Sequence, residues 1–309
     1  MIAAILAAAA AAASVPMNID GPKGPIEGTF VDAGKGAPVV IIIPGSGPTD
    51  RDGNNPLGVT AAPYRLLAEA LGEKGVSTLR ADKRGMFGSK TAIPDPNAVT
   101  LADYAADAHN WARALRQKTG AHCIWLLGHS EGSLVALKAA QQPTDLCGII
   151  LASAPGRKLG DVLREQLQSN PANAPLLPIA LPALASLEAR KTVDTSTMPA
   201  PLLKLFAPQV QPFLMDLLSQ DPAAEVAATT LPVLIVQGTK DLQVSTVDAE
   251  ALKKAQPKAE LHLIPNMNHV LKDVAGDDRA ANMAAYADPS VPVDASLVDD
   301  IAAFVKARR

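Results

Sequence analysis

Five consecutive β-branched residues, Val39-Val40-Ile41-Ile42-Ile43, closed at once by Pro44-Gly45, constrain the fold more than any other feature. A strand that is apolar at every position needs cover on both faces. Parallel sheets sandwiched between helices supply that cover, whereas antiparallel sheets with one wet face do not. Further short apolar runs occur at Val76 to Ala81, Cys123 to Leu127, Cys147 to Ala152, Leu231 to Val236 and Glu260 to Ile264. Helical patterns lie between or after them, at Ala61 to Leu71, Asp103 to Gln117, Ser133 to Ala140 and Ala295 to Lys306. This alternation predicts an α/β chain with a mostly parallel central sheet flanked by helices. With 309 residues, 48% hydrophobic and 19% charged, the chain has apolar surface for a sizeable core and too little charge to stay disordered.

The alternation fails over residues 156–230. That stretch holds no strand-like run and is punctuated by prolines, among them Pro171, Pro175, Pro178, Pro182, Pro199, Pro201, Pro208 and Pro212, with short apolar pieces at Leu202 to Phe206 and Phe213 to Leu218. A structureless loop of that length does not fit inside a compact domain, and the strand–helix pattern resumes directly after it. The expectation is an inserted helical cap, dividing the core into residues 17–155 and 231–309.

The chain starts with an apolar, alanine-rich stretch, Met1 to Ala13, followed by Ser14-Val15-Pro16, with no cation before Lys23. Residues 1–16 read as a signal-like segment with a small-residue cleavage site, too short to span a bilayer. The expected location is periplasmic or secreted, with cytoplasmic as the alternative, and the mature chain is expected to make no stable membrane insertion. A net charge of −3 offers no basic footprint for nucleic acid, and aromatics at 3% are too few for a stacking platform. The two cysteines, Cys123 and Cys147, cannot make a four-thiolate metal site. Each opens a strand near the sheet's N-terminal edge, on strands expected to be parallel neighbours. Spacing alone leaves open whether they are bonded or free.

The chemistry centres on Gly128-His129-Ser130-Glu131-Gly132, placed between an apolar run and a helix. A serine on a sharp strand-to-helix turn has its hydroxyl held out of the sheet's C-terminal edge, and the flanking glycines let the backbone pass closely. A serine hydroxyl is a poor nucleophile until a base takes its proton. Of the five histidines, His109 falls in a helix, His122 just before a strand, His129 inside the turn and His262 within a strand. Only His269, past the last strand, fits the order nucleophile, acid, base. The acid is Asp241, a short turn after the Val233-Leu234-Ile235-Val236 run. Asp216 and Asp221 fit the order too but lie in the cap, where they are expected to be solvated. Oxyanion donors are expected from the backbone N–H of Glu131 and of Ser46, with Gly47 as second choice to Ser46. Asp50-x-Asp52-x-Asn54 begins like a calcium loop but has glycine in fourth place and Ala61 in twelfth, so it reads as a loop brace. Arg84 reads as a loop anchor paired with a carboxylate, and the Glu131 side chain as an early-helix carboxylate favoured by the helix dipole.

Together, Gly45-Ser46-Gly47-Pro48-Thr49-Asp50-Arg51-Asp52-Gly53-Asn54, Asp82-Lys83-Arg84-Gly85, Gly128-His129-Ser130-Glu131-Gly132 and Gln237-Gly238-Thr239-Lys240-Asp241 resemble the serine α/β-hydrolases, in particular a bacterial esterase-like branch, over about residues 25–309. Pro44 departs from the pattern, since many members carry histidine there. The resemblance implies the α/β-hydrolase fold, hydrolysis of carboxylic esters, and neither a metal nor an organic cofactor. The expected function is a carboxylesterase working through an acyl-enzyme on small, uncharged acyl esters. Leu202, Phe206 and Phe213 are candidates for the acyl pocket. The alternatives are a peptidase or thioesterase on the same triad, and, outside catalysis, a ligand carrier on an inactive scaffold. Natural substrate and oligomeric state are not readable.

Overall fold

The computed structural model describes residues 13–276 and 278–308. Its strands are β1 (Ala13–Asp20), β2 (Pro25–Asp32), β3 (Val39–Ile43), β4 (Ser77–Ala81), β5 (Ile124–His129), β6 (Leu146–Ala152), β7 (Val233–Gly238) and β8 (Glu260–Ile264). They form one sheet in the order β1-β2-β4-β3-β5-β6-β7-β8. From β4 through β8 along that order every pairing is parallel, and the β1–β2 hairpin joins β4 antiparallel. The helices outside the insertion are α1 (Pro63–Glu73), α2 (Leu101–Thr119), α3 (Glu131–Ala140), α9 (Thr246–Ala255), α10 (Arg279–Ala284) and α11 (Ala295–Lys306).

The β3 run is buried throughout because its side chains alternate between two cores. Val39, Ile41 and Ile43 pack with Tyr104, Trp111 and Leu115 of α2 and with α3. Val40 and Ile42 pack with Leu67 and Leu71 of α1 and with Ile301 and Val305 of α11. Each such side chain, taken fully out of water, contributes about 1.5–3 kcal/mol. The sheet is thus a wall with helices on both sides, and its C-terminal edge is the place left for loops. None of the helices among the described residues is long and apolar enough to cross a membrane.

The β1–β2 hairpin is absent from the sequence expectation. β1 is an edge strand whose residues alternate between exposed and half-buried, and Pro16 sits inside it, so it carries little apolar signal. Ser14-Val15-Pro16 lie in β1, paired with Val31, Phe30 and Thr29 of β2. The signal-like segment before Ala13 lies outside the described residues. β5 runs on to His129 rather than stopping at Leu127, because Gly128 and His129 continue the ladder against Leu151 and Ala152. β7 begins two residues late because Pro232 has no N–H to give.

Between β6 and β7 the chain forms α4 (Leu159–Ser169), α5 (Leu177–Glu188), α6 (Ala200–Phe206), α7 (Gln211–Leu218) and α8 (Pro222–Ala228), with no strand. α4 to α7 share a small core of their own, built from Ala180, Leu184, Leu187, Leu202, Phe206, Leu214 and Leu218, while Val226 of α8 packs into the main core. Asp216, expected to be solvated, instead accepts the Leu101 N–H at 2.7 Å. It takes up an N–H in the first turn of α2, next to the Thr100 cap, and so ties the insertion to the main body. Asp221 caps α8 through the Ala224 N–H.

Cys123 and Cys147 form a disulfide with a Cα separation of 5.1 Å, joining the start of β5 to its neighbour β6. Removing it with Cys123→Ser/Cys147→Ser is expected to cost roughly 3 kcal/mol, by the loop-entropy relation for a closed loop of about 25 residues, and to leave the distant site intact. Urea denaturation of the two proteins measures the difference. Thiol titration of unfolded, unreduced wild type should find none, and two free thiols would remove the bond.

Candidate active site

β3 and β5 end level, Ile43 opposite Gly128. The segment Pro44-Gly45-Ser46-Gly47-Pro48 therefore leaves the sheet beside the turn that carries Ser130. Ser130 has φ 53° and ψ −123°, a conformation sparsely populated by residues with a Cβ and retained where surroundings enforce it. A Cβ on Gly128 would run into the Gly132 carbonyl, and one on Gly132 into the Ile43 carbonyl. Glycine on both sides is thus a packing requirement of the turn. The Ser130 N–H is held by the Ala152 carbonyl at 2.9 Å.

Asp241 and His269 follow the ends of β7 and β8, beyond β6 in the sheet order. Gly238 of β7 lies opposite Ile264 of β8. The Thr239 and Lys240 N–H groups donate to the Ile264 and Met267 carbonyls at 3.0 Å each, so the two loops rise as one unit. The Asn268 side chain accepts the Val270 and Lys272 N–H groups at 3.1 Å each and fixes the histidine loop. His269 Nδ1 then meets Asp241 Oδ2 at 2.8 Å, with the two side chains 6% and 0% exposed. Burial alone would push the Asp241 carboxyl up. The adjoining His269 ring and the Gln243 and Val244 N–H groups outweigh it and hold the acid below the ordinary carboxylate range. An ionised acid on Nδ1 leaves Nε2 as the basic nitrogen.

His129, read in the sequence only as part of the turn, has a role of its own. Its Nε2–H donates to the His269 carbonyl at 2.8 Å. Its Nδ1 accepts from the Tyr64 hydroxyl at 2.8 Å, which itself accepts the Gly45 N–H at 2.9 Å. One hydrogen-bonded strut thus runs from the Gly45 loop, past the Ser130 turn, to the histidine loop, and the His129 and His269 rings sit 4.9 Å apart. Burial, reinforced by the neighbouring His269, pushes the His129 imidazole down to about 3, so the strut is neutral in ordinary buffers.

Gly45 N–H is used by Tyr64, whereas neither the Ser46, the Gly47 nor the Glu131 N–H has an acceptor among the described residues. The Glu131 side chain is a surprise. It accepts from Lys83 Nζ at 3.1 Å, with the pair 7% and 6% exposed. Arg84 does anchor a loop, bonding Asp107 and Asp103. Asp50 accepts the Asp52 and Asn54 N–H groups, Asp52 pairs with Arg80 and Asn54 accepts the Ala62 N–H, so this segment braces the loop as read. No group of three or more His, Cys, Asp or Glu able to hold a metal occurs among the described residues.

The acyl-pocket candidates separate. Leu202 and Phe206 are 3% and 0% exposed inside the insertion's own core, so neither has surface left for a substrate, and that expectation is corrected. Phe213 instead reaches the main body, edge-on to Tyr104 at 5.8 Å; Tyr104 in turn lies beneath Lys83 Nζ. On the other side, Gln166 of α4 donates to the Gln243 carbonyl at 2.8 Å, two residues past Asp241. The insertion therefore touches both flanks of the site.

A serine on a strained strand-to-helix turn, with an acid and a histidine following in order along a parallel sheet's C-terminal edge, defines an α/β scaffold of the hydrolase kind. The model of the alpha/beta hydrolase family matches residues 39–286, and the chain belongs to that family. Among curated proteins it is 26% identical over 298 residues to esterase EstD of Thermotoga maritima; the match takes in 94% of this chain, which spans 65% of that esterase's length. Among solved structures it is similar to Est1E of Butyrivibrio proteoclasticus with ferulic acid bound (TM-score 0.60, 18% identity, 94% of this chain and 99% of that one). It is also similar to an esterase of Pyrococcus furiosus (TM-score 0.59, 17% identity, 96% and 91%) and to VinJ (TM-score 0.62, 15% identity, 96% and 99%). At these identities the likeness is one of fold.

Proposed function

We propose that the protein is a serine carboxylesterase that cleaves esters of small, uncharged acyl groups through an acyl-enzyme. The observation that carries this reading is the buried His269–Asp241 contact of 2.8 Å at the same sheet edge as the Ser130 turn, where the Ser46, Gly47 and Glu131 N–H groups have no acceptor among the described residues. Ser130 attacks the ester carbonyl as His269 takes its proton. The tetrahedral oxygen is held by the Ser46 and Glu131 N–H groups. His269 then protonates the leaving alcohol, and water activated by the same base releases the acid. The likeness to EstD supports ester chemistry over the peptidase and thioesterase alternatives.

A panel of p-nitrophenyl esters of graded chain length, aminoacyl amides and acyl-thioesters tests the proposal. Short-chain esters should show the highest kcat/KM, and a preference for amides or thioesters would reassign it. An inert protein that also resists fluorophosphonate labelling at Ser130 would be a carrier. The same panel tests Phe213, half-buried between the insertion and Tyr104. Phe213→Ala opens space there and should shift the preference toward longer acyl chains by about tenfold in relative kcat/KM, the worth of a methylene or two in an apolar pocket. An unchanged profile removes Phe213 from the pocket. Export to the periplasm or medium completes the reading and is supported by the Cys123–Cys147 disulfide, which an oxidising compartment maintains.

A further inference from the structure

Lys83 is 9% exposed as a residue, and its ammonium is spent entirely on its surroundings. It donates to the Gly45 carbonyl at 2.5 Å, the Gly47 carbonyl at 3.3 Å and Glu131 Oε1 at 3.1 Å. Taking two charges out of water is expensive, and an apolar pair of similar volume would serve packing as well or better. The pair therefore calls for a reason other than stability, and its partners supply one. The Gly45 carbonyl and the Ser46 N–H belong to one planar trans peptide, in which C=O and N–H point in opposite directions. Pulling the Gly45 oxygen inward onto Lys83 turns the Ser46 N–H outward, away from the protein. Glu131, which holds Lys83, is also the residue whose own N–H is the second donor.

We propose that Lys83 is a positioning residue of the oxyanion hole: held by Glu131, it orients the Gly45–Ser46 peptide so that the Ser46 N–H faces the developing oxyanion. This deepens, and rests on, the serine-esterase reading. Because Glu131 offsets the ammonium charge, Lys83 acts through geometry more than through field. Thr49 helps from the other side, its hydroxyl donating to the Ser46 carbonyl at 2.8 Å and so fixing the next peptide.

Three variants test this. Lys83→Met removes the clamp but leaves Glu131 buried and unpaired, so Lys83→Met/Glu131→Gln, with neither charge, guards against a failure to fold. Glu131→Gln alone keeps the Lys83–Gly45 bond. A donor that acts only in the transition state contributes about 10²–10³ in kcat. Lys83→Met, or the double variant, should therefore lose about 10²-fold in kcat with KM within about threefold, while Glu131→Gln, which loosens Lys83 without removing its bond to Gly45, should show a smaller loss of about tenfold in kcat. The affinity for a trifluoromethyl ketone, which forms an oxyanion on the serine, should fall in parallel with kcat/KM. The pH profile of kcat/KM should keep its wild-type shape, since His269 and Asp241 are untouched. Wild-type kcat in the double variant would overturn the proposal, as would a loss confined to KM. A crystal structure of the double variant decides independently of turnover. The Gly45–Ser46 peptide should rotate, and an unchanged peptide would overturn the assignment even in a protein that cleaves no ester. Absence of ester cleavage by wild type would count against the esterase reading alone.

Discussion

Ser130→Ala and His269→Ala should each lower ester turnover by on the order of 10³-fold or more, and Asp241→Asn somewhat less. Without the Ser130 hydroxyl no acyl-enzyme forms. Without His269 the hydroxyl keeps its proton at neutral pH, where serine is a weak nucleophile. Asp241→Asn keeps an oxygen that can accept the Gln243 and Val244 N–H groups, which now go to Oδ1. The oxygen facing His269 also accepts from the Gln237 amide at 3.1 Å, however. An amide in its place loses the charge that steadies the imidazolium and presents a donor where an acceptor is needed. The backbone donors survive all three changes, so residual activity above water is expected. In the proposed mechanism the three residues act as a unit, so Ser130→Ala/His269→Ala should be hardly worse than either single variant. Rates on p-nitrophenyl acetate measure this. Wild-type turnover in His269→Ala would dismiss His269 as the base, whatever the geometry.

What the sequence made legible was whatever a single segment can encode. The β3 run announced a strand buried on both faces because every residue in it is β-branched. The Gly-x-Ser-x-Gly turn announced itself because close backbone approach at positions 128 and 132 admits no side chain. The Asp241–His269 contact could be anticipated because each residue follows a strand by a short turn and the chain order allowed few rivals. The hidden features are pairs. Lys83 and Glu131 are 48 residues apart and Tyr64 and His129 are 65 apart. A lone buried lysine or tyrosine carries no local pattern that says what it meets, although three of the four lie in motifs already singled out. The cap was legible as helical but not as to which face points where. That is why Leu202 and Phe206, apolar and in the right region, turned out to pack on their own neighbours. The β1–β2 hairpin was missed because an edge strand buries one side weakly, and Pro25 and Gly28 blunt the alternation of β2. A Cβ at Gly28 would press on Trp111 and the Arg80 carbonyl at 3.1 Å.

The strut through His129 predicts an acid-sensitive fold. His129 is pushed from an ordinary 6.5 down to about 3 by burial, with His269 adding to it. Below pH 6.5 the unfolded chain therefore takes up a proton that the folded chain refuses. Unfolding is favoured as pH falls through that window, and stability returns as pH rises. Between pH 6.5 and 4 the loss from this one residue is on the order of 3 kcal/mol, at 1.36 kcal/mol per pH unit. Other groups also titrate there. His109, half-buried and lowered by desolvation, acts in the same sense, whereas Glu225, raised to about 6 by burial, gains stability as it protonates and acts in the opposite one. The informative quantity is therefore the difference between wild type and His129→Gln, in which those contributions cancel. Glutamine retains one acceptor for Tyr64 and one donor for the His269 carbonyl and does not titrate. His129→Gln should start less stable at pH 7.5, because its fit is poorer, and then lose about 3 kcal/mol less than wild type on going to pH 4. Urea denaturation at half-unit pH steps reads both curves, and parallel curves would show that His129 is not the group whose protonation unfolds the protein. The same proton would break the strut locally. A charged imidazole has no lone pair for the Tyr64 hydroxyl, which would release the tie between the Gly45 loop and the His269 loop. Wild-type ester activity should therefore be lost irreversibly in acid faster than that of His129→Gln, and the ratio of the two inactivation rates should rise as pH falls from 6 to about 4.5, the range in which unfolding exposes this histidine to charge in wild type alone.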